Sequence, residues 1–449
     1  MPNKGQPPGA EGPAPRTAWV VLDLSLVIVA ASVAFAFHLA AEPPFVDEWA
    51  YVSQTYYADL WFEGNVNDPA WLEYPAYDLP PLPKYAIGLA LKVAGHPRPG
   101  PRSARAWYAN TSSRFGPPEA LYAARRPSVF FGAIGCGAVY GLGRLAGGRR
   151  TGALAALFLM VNPLYRLHAR RAMSDVPAEA LILVAAVLGL WAWKKLLSER
   201  PGVAGGLLAV LAGASAGLAM LAKLSGALAL IVVAAWAILA VCLPAVPVAR
   251  KLAVALAGLV TAMVAVATFA AGNPFLTAHP SPVPPGLERI DAMSSIARAR
   301  WMFAHRFRVS DEQKTVFPHN ALWTTADKVS VVVAQGFGRF GPFGPRHSDS
   351  TRRYDWPQDW GALLWLPAVA AGAFMALRRG ASQRARGEPP TAWAILVQAM
   401  VAVLVVTAYL PLAWDRYFLS LQPVSALLAA VAVAALSERF VAAVPPRSA

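Results

Sequence analysis

Long apolar runs recur along this chain, separated by short charged links and by two long polar stretches. The runs cover roughly residues 18–41, 127–143, 151–165, 176–193, 203–222, 225–243, 252–272, 361–377, 391–411 and 417–436. A helix of about 20 apolar residues crosses the hydrocarbon core of a bilayer, so each run is read as a membrane span. A further run, 85–95, is too short to cross easily and reads as a re-entrant or interfacial segment. The pattern therefore predicts an all-α polytopic membrane protein of about ten transmembrane helices, with outer loops over 42–126 and 273–360.

Charge fixes which side each link is on. With a cytoplasmic N-terminus and 85–95 not crossing, the short inner links carry Arg144, Arg149 and Arg150, then Lys194, Lys195 and Arg200. Arg250 and Lys251, then Arg378, Arg379, Arg384 and Arg386, follow on the same side. This is the positive-inside distribution, and letting 85–95 cross would invert these clusters. Both termini are then inside, with a disordered cytoplasmic segment at 1–17, one membrane domain at 18–441 and a short tail at 442–449. The first run has no cleavage site after it and reads as a retained helix rather than a signal peptide. In this register Asp47, Glu48, Asp59, Glu63, Asp68, Glu73, Asp78, Asp175 and Glu179 all fall on the outer face, where the chemistry is expected.

Composition agrees. Of the 449 residues 56% are hydrophobic and only 14% charged, where a soluble domain is nearer 25% charged. The net charge of +15 would suggest nucleic acid in a soluble protein, but here it follows from topology, and no nucleic-acid partner is expected. Cys136 and Cys242 both sit in apolar runs and read as buried small residues. His279, His305, His319 and His347 lack metal-ligand spacing and read as surface or hydrogen-bonding groups.

Several outer-face stretches carry candidate chemistry. Phe45-Val46-Asp47-Glu48-Trp49-Ala50-Tyr51 sets two carboxylates among aromatics just past the first span. Lys84 follows Pro80-Pro81-Leu82-Pro83 at headgroup depth, where it would snorkel or bind phosphate. Arg166, Arg170 and Arg171 break the positive-inside rule in a short outer link. They would either hold an anionic lipid phosphate or pair locally with Asp175 or Glu179. Lys223 stands alone at a tight turn between two spans, and Asp415-Arg416 opens the last one as a possible ion pair. Residues 287–307 read as an amphipathic helix lying on the surface or over a site.

Taken in order, Asp-Glu after the first span, Pro-Pro-Leu-x-Lys, Arg-x-Pro-Ser, small-Asp-x-Pro, Ala-Lys-x-x-Gly and Arg-Tyr-x-Leu resemble the glycosyltransferase-C superfamily. The resemblance is strongest to family 39, the protein O-mannosyltransferase and lipid A aminoarabinose transferase branch, and runs from Asp47 to Pro423. It implies an inverting transferase at the plasma (inner) membrane, active on the extracytoplasmic face. Such an enzyme uses a polyprenyl-phosphate sugar and an acceptor that is a glycolipid, polysaccharide or protein. By that resemblance Asp47 is the general base, with Glu48 a helper or an orienting partner, and Asp175 is a second outer acid that positions acceptor or sugar. Lys84 and Lys223 match positions that hold the donor phosphate and Arg416 a basic residue at the last span; Arg170 and Arg171 join this set by their unexpected outer charge, and Tyr51, Tyr85 and Tyr417 are candidates to line the substrate. No cofactor is implied; a divalent metal is compatible but not indicated. Leu79, Pro83 and Ser420 depart from the family pattern, where His, Gly and Pro are usual, and leave the acceptor open. A transporter of lipid-linked sugars is the alternative. It predicts ionisable groups within spans, and Asp23 is the one such group in otherwise clean spans. An inactive relative of the same fold is the other alternative.

Overall fold

The computed structural model describes residues 16–98, 118–198, 202–244, 246–336 and 360–443. Ten helices form the bundle: α1 (Arg16–Ala36), α2 (Pro118–Gly147), α3 (Arg149–Val161), α4 (Asp175–Leu197), α5 (Val203–Ala222), α6 (Leu228–Cys242), α7 (Val248–Ala271), α8 (Trp360–Ala385), α9 (Thr391–Tyr409) and α10 (Leu421–Ala443). No strand occurs among the described residues, where the one β-type contact is an antiparallel bridge between Ala321 and Leu412.

Eight stretches in the bundle, those of α1, α2, α4–α7, α9 and α10, are long and apolar enough to cross a membrane. The expected span 361–377 lies within the 26 residues of α8. The expected span 151–165 is corrected: α3 has 13 residues and stops at Val161. Pro163 is the cause, because proline disfavours helical geometry in the residue before it. Asn162 is accordingly extended (φ −63, ψ 121), and its side chain accepts from Tyr165 N at 2.9 Å to start a new helix, Pro163–His168. At 1.5 Å per residue α3 is only about 20 Å long.

All ten helices run between the same two ends. At one end Asp23 accepts from Arg149 at 2.7 Å and from Tyr140 at 2.7 Å. Nearby, Arg379 donates to Gly147 O and Thr391 to Leu145 O. Asp23 is thus not a mid-bundle group; it locks the start of α1 to the turn between α2 and α3. The basic links gather at this end. At the other end lie the links after α1, α3, α5, α7 and α9, with the polar segments between α1 and α2 and between α7 and α8. Helix Leu82–Val93 stays there, packing Ile87 and Leu91 against Ala120, Ala123 and Ala124 at the start of α2, as a non-crossing segment should.

Burial follows composition. Helix α1 is mostly exposed and, Asp23 apart, apolar on nearly every side, so it faces lipid, whereas α4 is mostly buried and forms the centre. Helices α5 and α7 approach closely through Gly213 and Gly217. A Cβ there would stand 2.6 Å from Thr261 O and 2.5 Å from Ala265 O, the small-xxx-small packing of membrane helices. In the segment between α7 and α8 Arg298 is fully buried and donates to the carbonyls of Phe275, Ala278, Ile290 and Asp291. One guanidinium thereby folds the loop from which helix Ser295–Val316 starts.

Candidate active site

The end of the bundle rich in carboxylates is built on Glu48. This side chain is fully buried and accepts four hydrogen bonds: from Phe45 N, from Ala172 N, and from Nε and Nη2 of Arg125, all at 2.8–2.9 Å. Arg125 also donates to the carbonyls of Leu39, Glu42 and Pro43. Every element that meets there (the end of α1, the first outer loop, the start of α2 and the link before α4) is tied to one ion pair. A fully satisfied pair of this kind orients rather than reacts. Glu48 therefore lies beneath the site as an anchor, and it fixes the backbone that carries its neighbour.

That neighbour, Asp47, projects the other way. Its Oδ2 pairs with Nη1 of Arg416, which comes from the far end of the chain. The Asp47 side chain remains 34% exposed, against 0% for Glu48, 3% for Asp175 and 8% for Asp415. Arg416 lies over the rings of Trp414 at 4.5 Å and Tyr417 at 5.7 Å. Burial works against its charge, but Asp47, Tyr417 and Asp175 outweigh it and hold the guanidinium firmly protonated.

Lys223 reaches the same place from the turn between α5 and α6, donating to Asp175 Oδ1 at 2.7 Å with its Nζ 5.8 Å from the Tyr417 ring. Gly226 makes that turn feasible: a Cβ there would stand 2.2 Å from the backbone of Ala219, so only glycine lets the chain fold back so tightly. This is the physical content of Ala-Lys-x-x-Gly. The Tyr51 hydroxyl bonds to Ser174 Oγ at 2.6 Å, and burial, then the charge of Asp175, keeps it protonated. One turn after Asp175, buried Glu179 accepts from Ser420 Oγ at 2.5 Å.

Asp47, Tyr51, Asp175, Lys223, Arg416 and Tyr417 thus converge, and Arg171 stands just behind, 4.0 Å from Asp415 Oδ2 and over the Phe45 ring. The neighbouring residues Asp415 and Arg416 do not pair through their charges. Asp415 instead accepts from Arg416 N at 2.6 Å. Burial pushes the Asp415 carboxyl up, but His168 and Arg171 more than reverse this and hold it below the usual range. Arg170 turns aside to His38 O and Glu42, so neither arginine pairs locally with Asp175 or Glu179. Helix Ser295–Val316 borders the site, with Gln313 accepting from Tyr417 OH at 3.5 Å and Ser310 bonding Tyr409 OH at 3.2 Å. His279 and His305 contact Asp291 and Asp78; His347 lies outside the described residues.

Lys84 and Tyr85 form a separate cluster. Lys84 is fully buried rather than snorkelling to a surface. Its Nζ donates to Pro75 O at 2.5 Å and lies 4.6 Å from the Tyr57 ring centre. Tyr85 stacks on Trp61 and donates to Gly272 O at 3.3 Å. Burial pulls the Lys84 ammonium down to about 7. Between that value and the ~10.4 of a free lysine the unfolded chain holds a proton the folded one lacks, so stability rises with pH across this window. Lys84→Met should therefore raise the melting temperature in detergent most at or below pH 7, with the gain shrinking toward pH 10. A gain that does not change with pH would show that charge burial is not its origin.

Sequence reasoning missed His168, Asp415 as a bridge, and the Glu179–Ser420 pair. No spacing signal joins residues 168 and 415, and only the fold brings them together.

Residues 72–277 match the family model of dolichyl-phosphate-mannose-protein mannosyltransferases. No curated protein matches the chain. Among solved structures it resembles ArnT from Cupriavidus metallidurans bound to undecaprenyl phosphate, with TM-score 0.54 and 17% identity over 94% of this chain and 61% of that one. It also resembles the Archaeoglobus fulgidus oligosaccharyltransferase AglB in complex with an inhibitory peptide and a dolichol-phosphate, with TM-score 0.56 and 14% identity over 97% of this chain and 53% of that one. The chain spans only about half to three-fifths of the length of these structures. The glycosyltransferase-C resemblance thus holds in sequence over residues 72–277, within the mannosyltransferase family model, and in fold over nearly the whole chain.

Proposed function

We propose that the chain is a membrane glycosyltransferase that moves a sugar from a polyprenyl-phosphate donor to an acceptor hydroxyl on the extracytoplasmic face, with inversion. The observation that carries this reading is the Asp47–Arg416 pair, in which a partly exposed carboxylate touches a guanidinium in a ring of cations. Asp47 takes the acceptor O–H proton as that oxygen forms its bond to the anomeric carbon. The bond from that carbon to the phosphate oxygen breaks, and its electron pair leaves with the polyprenyl phosphate. Charge grows on the phosphate in this step, and Arg416 and Lys223, 5.7 and 5.8 Å from the Tyr417 ring, are placed to stabilise it, with Arg171 behind them. Asp175 holds Lys223 in place, and Tyr51 and Tyr417 wall the sugar. The satisfied burial of Lys84 and the turn of Arg170 toward α1 make those two poorer phosphate ligands than the sequence suggested.

The basic end of the bundle, where Asp23 is locked, fits a cytoplasmic side by the positive-inside rule. Asp23 is paired there with Arg149 rather than standing alone in its span, which weighs against the transporter reading. The test is turnover of a panel of polyprenyl-phosphate sugars by the full chain in lipid vesicles. Release of polyprenyl phosphate with sugar transferred to an acceptor is the expected result. Donor movement across the bilayer without cleavage would overturn the reading in favour of transport.

A further inference from the structure

Behind the site, two segments far apart in sequence grip each other at two points. Asn162 Nδ2 donates to Gln422 Oε1 at 2.9 Å, and His168 Nε2 stands 3.5 Å from Asp415 Oδ2. All four side chains are buried. Neither ring nitrogen of His168 has a hydrogen-bond partner, nor does Arg171 Nη1, which faces the same Asp415 oxygen. Buried donors left unmade cost stability, so a buried imidazole in this state calls for a reason beyond packing. The other Asp415 oxygen already accepts from Arg416 N. The chain of contacts therefore runs from His168 through Asp415 to the backbone of Arg416, and from its guanidinium to Asp47.

We propose that His168 is a positioning residue: by packing its Nε2 against Asp415 Oδ2 at 3.5 Å it sets the turn Asp415–Phe418, and with it the guanidinium that holds both Asp47 and the donor phosphate. This rests on the glycosyltransferase reading of the site. The charged groups around the imidazole are Asp415 and Arg171, with Asp175 at the start of α4, and none of the three touches the acceptor in this role.

The test compares His168→Phe, which keeps the ring volume but has no donor, with His168→Gln, whose amide can still reach Asp415. Both are measured as full-length protein for kcat, donor KM and affinity for undecaprenyl phosphate. His168→Phe should lower kcat about tenfold and weaken undecaprenyl phosphate binding by a similar factor, and His168→Gln should recover most of both. In a double-mutant cycle with Asp415→Asn the losses should fail to add, as for residues acting in one network. Wild-type kcat and affinity in His168→Phe, or losses that simply add, would overturn the role. Should His168→Phe not fold, a full loss in His168→Gln would also count against it. The affinity arm separates the two readings: a wild-type chain that binds undecaprenyl phosphate but transfers nothing fails as a transferase, while the His168 effect on binding still stands or falls by itself.

Discussion

Asp47→Asn should lower sugar transfer by about 10²–10⁴-fold, the usual range for losing a general base, while the affinity for the donor changes little. Asparagine has the same shape, and its amide oxygen can still accept from Arg416, so the turn Phe45–Glu48 and the cation ring stay in place. What is lost is the capacity to take the acceptor proton. Steady-state kinetics with a saturating donor separate the two effects: kcat should fall and donor KM should hold. A variant that turns over at the wild-type rate would remove Asp47 from the chemistry and point to Asp175 as the acid to test next.

Breaking the buried pair beneath it should give the largest loss of stability. Removing one partner of a buried, hydrogen-bonded ion pair typically costs 3–5 kcal/mol, because the other charge is left without compensation. Arg125→Ala strands the Glu48 carboxylate at zero exposure and frees the carbonyls of Leu39, Glu42 and Pro43 together. Glu48→Ala instead strands the guanidinium and orphans the amides of Phe45 and Ala172. Both should unfold at markedly lower temperature or denaturant concentration than the parent. A combined Glu48→Leu and Arg125→Met variant should recover much of the loss, since apolar groups of similar size carry no unpaired charge. Full additivity of the two single losses would mean that the residues act independently, against the geometry.

The distribution of charge made the topology legible. The basic links and the short run 85–95 together fixed which helix ends gather, and the structure collects the carboxylates at one end as that register required. Membrane helices report themselves well because every backbone group must be satisfied within the segment. Local motifs also carried real geometry: Ala-Lys-x-x-Gly is the tight turn at Gly226 that presents Lys223, and Arg416 does reach Asp47. What sequence could not give was the direction of side chains within a loop. Asp47 and Glu48 are adjacent, yet one faces the cation ring and the other the core, because a short helix begins between them and turns successive side chains about 100° apart. Lys84, in a motif like that of Lys223, and Arg170, an unexpected charge in a short link, spend donors on carbonyls of the scaffold. His168 had no pattern at all to reveal it. The break at Asn162-Pro163 was visible in the sequence as a turn signal, and the apolar count across it was allowed to outweigh the proline.

That break sets the depth in the lipid of the end where the carboxylates gather. A helix about 20 Å long stands where the hydrocarbon layer is about 30 Å thick, and Leu157 and Val161 at its end are exposed at 48% and 61%. Such a hydrophobic mismatch is met by thinning the bilayer beside the protein or by drawing the polar link 162–174 below the headgroup plane. Either way the interface is pulled inward on the flank where Arg171 lies. If the proposed function holds, a donor anchored by a long isoprenoid tail can then bring its phosphate to the cations sideways, without lifting the tail out of the membrane, while a water-borne acceptor must descend from above.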